Sequence, residues 1–262
     1  MKPDQPVFLD TSIQVERILG AKQKQVEIEH HLATSGYQFV TSHYVFMEFQ
    51  RSVISDHVHV HNQIRKYKDW EETANQLRSG TRTHRPRSLV RSMQIFTRTL
   101  VVSQMQREIA LSLLKIQIER NLAKRFWRYV NPIPDLVHCD LVAKGSSRGV
   151  NGEFITADSC RKATAACNLP HFLAQQQPQL YTIANYLATC PQCIKGQMRV
   201  EHFLSAAINN PQDILGQTAC WPLGDMIIAL QVPTGARLWT LDADLAAFTS
   251  ALGMTLYEPD YN

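Results

Sequence analysis

The 262-residue sequence has no long apolar run. Its apolar stretches, of which Met226–Leu230 is typical, end after a handful of positions, far short of the ~18–20 that a membrane-crossing helix needs. No apolar segment follows Met1-Lys2-Pro3-Asp4, so no secretory signal and a cytoplasmic chain are expected. In that compartment the six cysteines should be reduced or metal-bound rather than paired. Internal repeats and low-complexity tracts are absent. With 44 % hydrophobic and 19 % charged residues, the chain is neither a disordered tail nor a fibre.

The net charge of +4 conceals an uneven distribution. Residues 1–56 carry 5 Lys/Arg against 7 Asp/Glu, residues 57–130 carry 15 against 5, and residues 131–262 carry 7 against 11. A basic middle between acidic flanks suggests an anionic partner, although a solvated helical surface would produce the same count.

Both ends of the chain read as α/β. Val7-Phe8-Leu9 predicts a short buried strand, and Asp10-Thr11-Ser12 caps a helix from about Ile13 to Leu32, broken at Gly36. A second strand is expected over Tyr37-Gln38-Phe39-Val40. Thr41-Ser42 then caps a helix that buries Val45, Phe46, Phe49 and Val53. Towards the other end, Gly224-Asp225 opens a helix closed by Pro233-Thr234-Gly235. Arg237 to Leu241 reads as a strand, Asp242 and Asp244 cap a helix ended by Gly253, and Met254 to Tyr257 reads as a last strand. Strands alternating with helices imply a parallel sheet with right-handed crossovers. Between the ends, residues 88–130 read as helical and Arg78 to Arg91 as a basic loop.

Four carboxylates occupy informative positions. Asp10 and Asp242 fall at carboxyl ends of strands, where open parallel sheets bind ligands. Asp225 lies in the first turn of a helix, and Glu48 sits in the otherwise apolar stretch Tyr44-Val45-Phe46-Met47-Glu48-Phe49. Clustered carboxylates repel one another unless a cation lies between them, and hard oxygen donors select Mg²⁺ or Mn²⁺. Such ions ionise water and stabilise displacement at phosphorus. Each acid taken singly reads equally well as a helix cap or a surface group, but an acid in the setting of Glu48 must be paired or metal-bound.

Taken together, Val7-Phe8-Leu9-Asp10-Thr11-Ser12, Thr41-Ser42 followed by Glu48-Phe49-Gln50-Arg51, Gly224-Asp225-Met226-Ile227 and Leu238-Trp239-Thr240-Leu241-Asp242-Ala243-Asp244 resemble the PIN domain, a metal-dependent nuclease family. The resemblance implies a three-layer α/β/α fold with a central parallel sheet. It implies Asp10, Glu48, Asp225 and Asp242 as catalytic metal-binding acids, Asp244 as a further ligand, and Ser12 and Thr240 as supporting groups. The implied activity is endonucleolytic hydrolysis of phosphodiester bonds, RNA being preferred, in a toxin-like, RNA-processing or defence role. PIN domains are usually near half this length. The core is therefore assigned to residues 1–56 and 216–262, and residues 57–215 to a mainly helical insertion.

Within that insertion Cys190-Pro191-Gln192-Cys193 forms a C-x2-C knuckle, with Cys160 and Cys167 upstream. Four thiolates would make a structural Zn²⁺ site that staples the insertion, while the alternative is ordinary buried cysteines. His57, His59 and His61 are expected to be solvated or capping. Arg82, Arg85, Arg87, Arg91, Arg125 and Arg128 are candidate phosphate contacts. Phe126, Trp127 and Tyr129 are either base-stacking platforms or core residues. Two other readings compete with an active nuclease: a PIN-like module that binds nucleic acid or protein without cutting, and a zinc-stabilised interaction protein. A homo-oligomer or protein partner is compatible with each, and no membrane association is expected.

Overall fold

The computed structural model describes residues 5–79, 86–134, 136–137, 146–149, 152–156, 167–190, 194–214 and 219–260. Strand β1 (Val7–Leu9) is buried at every position and leads into α1 (Thr11–Leu19). The single helix expected over residues 13–32 is two helices, because the chain leaves helical geometry at Gly20 and restarts as α2 (Lys22–Thr34). Gly20 is forced by space: a Cβ there would lie 2.3 Å from the Glu16 carbonyl oxygen. Strand β2 (Phe39–Thr41) follows, and the Ser42 hydroxyl accepts from Val45 N–H to start α3 (His43–Phe49). A π-helical turn over Gln50–Ile54 carries that helix directly into α4 (Ser55–Lys66). The proposed core–insertion boundary at 56/57 thus lies inside a helix.

Helices α5 (Trp70–Ser79), α6 (Pro86–Val102), α7 (Arg107–Ile116) and α8 (Leu122–Trp127) come next, the last two joined by a π turn. The basic loop expected over residues 78–91 is corrected at both ends: Arg78 lies in the last turn of α5, and Arg87 and Arg91 lie on α6. Strand β3 (Asn131–Pro132) precedes the antiparallel pair β4 (Ser146–Arg148) and β5 (Phe154–Thr156). The chain continues through α9 (Leu169–Gln175), α10 (Gln177–Thr189), α11 (Gln197–Asn209), α12 (Gly224–Gln231), β6 (Arg237–Trp239) and α13 (Ala243–Ala251). The strand expected over residues 254–257 reduces to one parallel bridge, Leu238 to Leu256.

The main sheet has the order β3-β2-β1-β6 and is parallel throughout, with Phe8 paired to Val40 on one side and Leu238 on the other. The two faces of β1 diverge as strand geometry requires. Val7 and Leu9 enter a compact cluster with Phe39, Trp239, Ile28, Leu32 and Tyr257. Phe8, with Val40 and Leu238, enters a larger core that takes residues from α3, α4, α12, α13 and the helices between α5 and α11. Helices on both faces of a parallel sheet fit a three-layer α/β/α arrangement. No described helix is long and apolar enough to cross a membrane.

Arg17 has no exposed side-chain surface and ties this scaffold together. Its Nε donates to Glu29 on α2 (2.9 Å), and its Nη2 donates to the Arg128 carbonyl beyond α8 (2.9 Å). Arg125 donates both to Glu29 (2.9 Å) and to the Arg17 carbonyl (2.6 Å). Two guanidinium groups hold the Glu29 carboxyl below its ordinary range despite its partial burial, and burial lowers the pKa of Arg17. Substituting Arg17→Met strands buried carbonyls and one side of Glu29, so it should cost about 2–4 kcal/mol, read from urea denaturation midpoints at pH 7.

Candidate metal centre

Asp10 sits just past the carboxyl end of the central strand, where its backbone N–H still donates to the Trp239 carbonyl (3.2 Å). Its carboxylate caps α1 by accepting from the N–H groups of Ser12 and Ile13, and it also accepts from the Thr240 hydroxyl. Thr240 in turn accepts from Asp242 N–H (2.9 Å), and the Ser12 hydroxyl accepts from Leu241 N–H (2.8 Å). The two hydroxyl residues thereby lock the end of β6 to the end of β1. Asp242 caps α13 by accepting from Asp244 N–H (2.9 Å).

Glu48 approaches from α3 and accepts from the Thr11 hydroxyl (2.9 Å). Gly224 makes that position available. A Cβ on Gly224 would stand 2.7 Å from Glu48 Oε1, so a larger residue there would push the carboxylate aside. Asp225, the next residue, presents its carboxylate from the first turn of α12. Carboxylate oxygens of Asp225, Asp242 and Asp244 lie within 4.8 Å of one another. Asp244 therefore stands with Asp225 and Asp242 in the tightest cluster, while Asp10 and Glu48 act on it electrostatically from the side.

Burial pushes Asp10 up to about 6, against hydrogen bonds from Thr240 and Ser12 that favour its charge. Burial first, then the charges of Asp10 and Asp242, push Glu48 up to about 7, although Thr11 and Arg51 oppose them. Asp225 is pushed up to about 8 by burial and by Glu48, Asp242, Asp10 and Asp244 in that order. Four neighbouring acids raising one carboxyl describe a site with an excess of negative charge. The donors are all hard oxygens, the set that suits Mg²⁺ or Mn²⁺.

The other sequence-selected residues are more dispersed. Arg87 Nη1 lies 3.9 Å from Asp242 Oδ2, with 75 % of its side chain exposed. Arg91 is committed to Asp56 and Arg125 to Glu29, so both hold the scaffold together rather than a ligand. Arg128 packs its guanidinium over Tyr129 (4.7 Å) just before β3. Arg82 and Arg85 lie outside the described residues, as do Cys160 and Cys193. Cys190, at the end of α10, takes part in a disulfide, against the expectation of unpaired cysteines. Phe126 is fully buried against Phe46 and Phe49 and belongs to the core. His57 and His61 are buried too: His57 Nδ1 bonds the Val53 carbonyl (2.8 Å), and the His61 ring meets Phe154 edge-on.

Nothing in the sequence signals that Thr11 and Arg51 act on Glu48. Thr11 was visible as the middle of Asp-Thr-Ser, but its reach to Glu48 depends on how α1 packs on α3. Compared with protein-family models, with curated proteins and with solved structures, the chain matches none.

Two outcomes test the electrostatics. Folded-state pKa values above the unfolded ones mean that the folded protein binds more protons, so in EDTA stability should fall as pH rises from 6.5 to 8. Neutral buried His57, held down to about 4, works in the opposite sense only below pH 6.5, where it would charge on unfolding. Asp225→Asn should therefore raise the metal-free Tm at pH 8, by on the order of 1–3 kcal/mol of stability, and flatten the slope between pH 7 and 8. Gly224→Ala should leave the circular dichroism spectrum unchanged yet weaken Mn²⁺ binding by calorimetry at least tenfold, because the added Cβ displaces Glu48.

Proposed function

We propose that this chain is a metal-dependent nuclease of the PIN-like type that hydrolyses phosphodiester bonds, RNA being the preferred substrate. The observation that carries the reading is the convergence of Asp10, Glu48, Asp225, Asp242 and Asp244 at the carboxyl edge of a parallel sheet, with Asp225 raised to about 8 by its neighbours. A structural cap needs no such company. Four of these acids, Asp10, Asp225, Asp242 and Asp244, sit at the starts of helices α1, α12 and α13, but four of the five also raise the pKa of a neighbour.

Asp225, Asp242 and Asp244 would hold the ion, with Asp10 and Glu48 on the flank. When bound, Mg²⁺ or Mn²⁺ supplies Lewis acidity and brings a water within reach of ionisation at neutral pH. The protein's own groups orient and protect the site. Thr240 and Ser12 fix Asp10 and the start of α13, and Thr11 holds the Glu48 carboxyl. Glu48, a carboxylate beside the cluster and held by Thr11, is the group suited to accept a proton from water. Arg87 at the rim offers a cation to a phosphate. A cytoplasmic RNA-processing, defence or toxin-like role belongs to this same proposal.

The decisive assay incubates purified protein with single-stranded RNA and DNA in Mn²⁺ or EDTA. Wild type should cut RNA only with the metal, and Asp225→Asn and Asp10→Asn should each lose about 10²–10⁴-fold in rate. No metal-dependent cleavage of any substrate would overturn the reading. Equal cleavage by wild type and variants would assign the activity to a contaminant.

A further inference from the structure

The opposite edge of the sheet holds a cleft of about 380 Å³ between the second half of α2, Tyr37, the first residue of β6 and the segment after Tyr257. Arg237 forms part of its wall, and its guanidinium lies between two aromatic rings, 5.0 Å from Tyr37 and 4.7 Å from Tyr257. The rings satisfy its charge but not its N–H groups. Nε and Nη2 of Arg237 are both buried and both lack a hydrogen-bond partner. These two atoms form one edge of the guanidinium, the edge that grips a carboxylate or phosphate through two parallel bonds. Buried donors left without acceptors cost stability, so this fork favours an incoming anion.

The surroundings narrow the ligand further. Glu258 and Asp260 line the cleft from its exposed side, and Glu27 contributes a third carboxylate from α2. A plain anion meets an acidic rim on its way to Arg237, whereas a molecule carrying both charges matches the rim and the wall together. The tail that closes the cleft is anchored at Tyr257, which is buried against Phe39 and Trp239: its N–H donates to the Leu238 carbonyl (2.7 Å) and its hydroxyl bonds His31 (2.6 Å), whereas Glu258 and Asp260 beyond it are exposed. Because the fork is buried, a ligand can reach it only as Arg237 shifts against the rings of Tyr37 and Tyr257.

We infer that this cleft binds a small zwitterion, its carboxylate or phosphate on the Nε–Nη2 fork of Arg237 and its ammonium at Glu258 and Asp260. The site lies on the far edge of the sheet from the carboxylate cluster, and it stands whether or not that cluster cuts nucleic acid.

The Trp239 ring lies 5.5 Å from Tyr257, so tail movement should register in tryptophan fluorescence. Full-length protein is titrated with free L-amino acids as the carboxylate arm and with phosphoethanolamine as the phosphate arm. Acetate and inorganic phosphate serve as singly functional controls, and binding is confirmed by calorimetry. At least one zwitterion should bind saturably, and at least tenfold more tightly than either control. Arg237→Lys keeps the charge but loses the fork and should weaken that binding at least tenfold. Glu258→Gln with Asp260→Asn, at exposed positions that leave folding alone, should abolish the preference for the zwitterion over the control. No saturable binding in either arm overturns the proposal, as does binding that Arg237→Lys and the double variant leave unchanged in proteins of wild-type Tm.

Discussion

Mutual repulsion among carboxylates at one edge of a parallel sheet is the constraint around which the structure is arranged. A parallel sheet buried on both faces leaves only its ends for polar chemistry. Here β1 is central, so the end of β1, the end of β6 and the first turns of α1, α12 and α13 meet in a small volume. Three helix amino termini bring partial positive charge to the place where negative charge accumulates, which offsets part of the repulsion. Hydroxyls from Thr11, Ser12 and Thr240 supply fixed dipoles, and Gly224 supplies room. These devices still leave Asp225 raised to about 8, so the remaining imbalance is what a cation would relieve.

The helical mass beside this edge does more than cover the sheet. The helix carrying Glu48 continues through a π turn into α4 without a break. A single π turn shifts the register of the residues after it, and such turns often accompany functional sites. Here the turn brings Arg51 close enough to Glu48 to lower its pKa and close enough to Cys220 to act on the thiol bonded to Tyr44 (3.0 Å). Glu48 is therefore positioned by α1 through Thr11, by α12 through the space at Gly224, and by its own helix through Arg51.

The α/β grammar of both chain ends was legible because capping chemistry and short buried strands leave local marks: Asp10, Ser42 and Asp242 cap the helices that their neighbours announce. The misread elements are those decided by space rather than by propensity. Gly20 breaks a helix because a side chain would collide with the Glu16 carbonyl, whereas Gly36 ends α2 as expected, one residue past the cap Ser35 with φ +73°. The last strand shrank to one bridge because its fate depends on what β6 leaves open. Among the acids, each position was visible in the sequence, but the ranking was not. Asp244 lies two residues past Asp242 and looks like a second cap, and only the packing of α12 against α13 brings it beside Asp225. The histidines at 57 and 61 misled because three polar rings in five residues suggest solvent, while α4 is enclosed on several sides and turns two of them inward.

The basic excess of residues 57–130 takes a different meaning once its partners are known. Arg98 donates to the carbonyls of Leu19 (2.9 Å) and Gly20 (2.8 Å), at the carboxyl end of α1. Arg107 donates to the carbonyls of Arg65 (2.8 Å) and Tyr67, at the carboxyl end of α4. Cations at helix carboxyl termini satisfy orphan carbonyls and meet the negative end of the dipole. With Arg91 on Asp56 and Arg125 on Glu29, four arginines of the basic segment are structural ties between helices. Net charge over a segment therefore overstates its grip on a polyanion whenever the segment is also a helical scaffold. Of the arginines selected from the sequence, Arg87 is the one described beside the carboxylate edge, mostly exposed and only loosely paired at 3.9 Å. Among the described residues selected from the sequence, a phosphate approaching that edge would meet the guanidinium of Arg87. An electrostatic grip of that size gives weak, salt-sensitive attraction, so under the proposed function affinity would have to come chiefly from an ion held by the carboxylates.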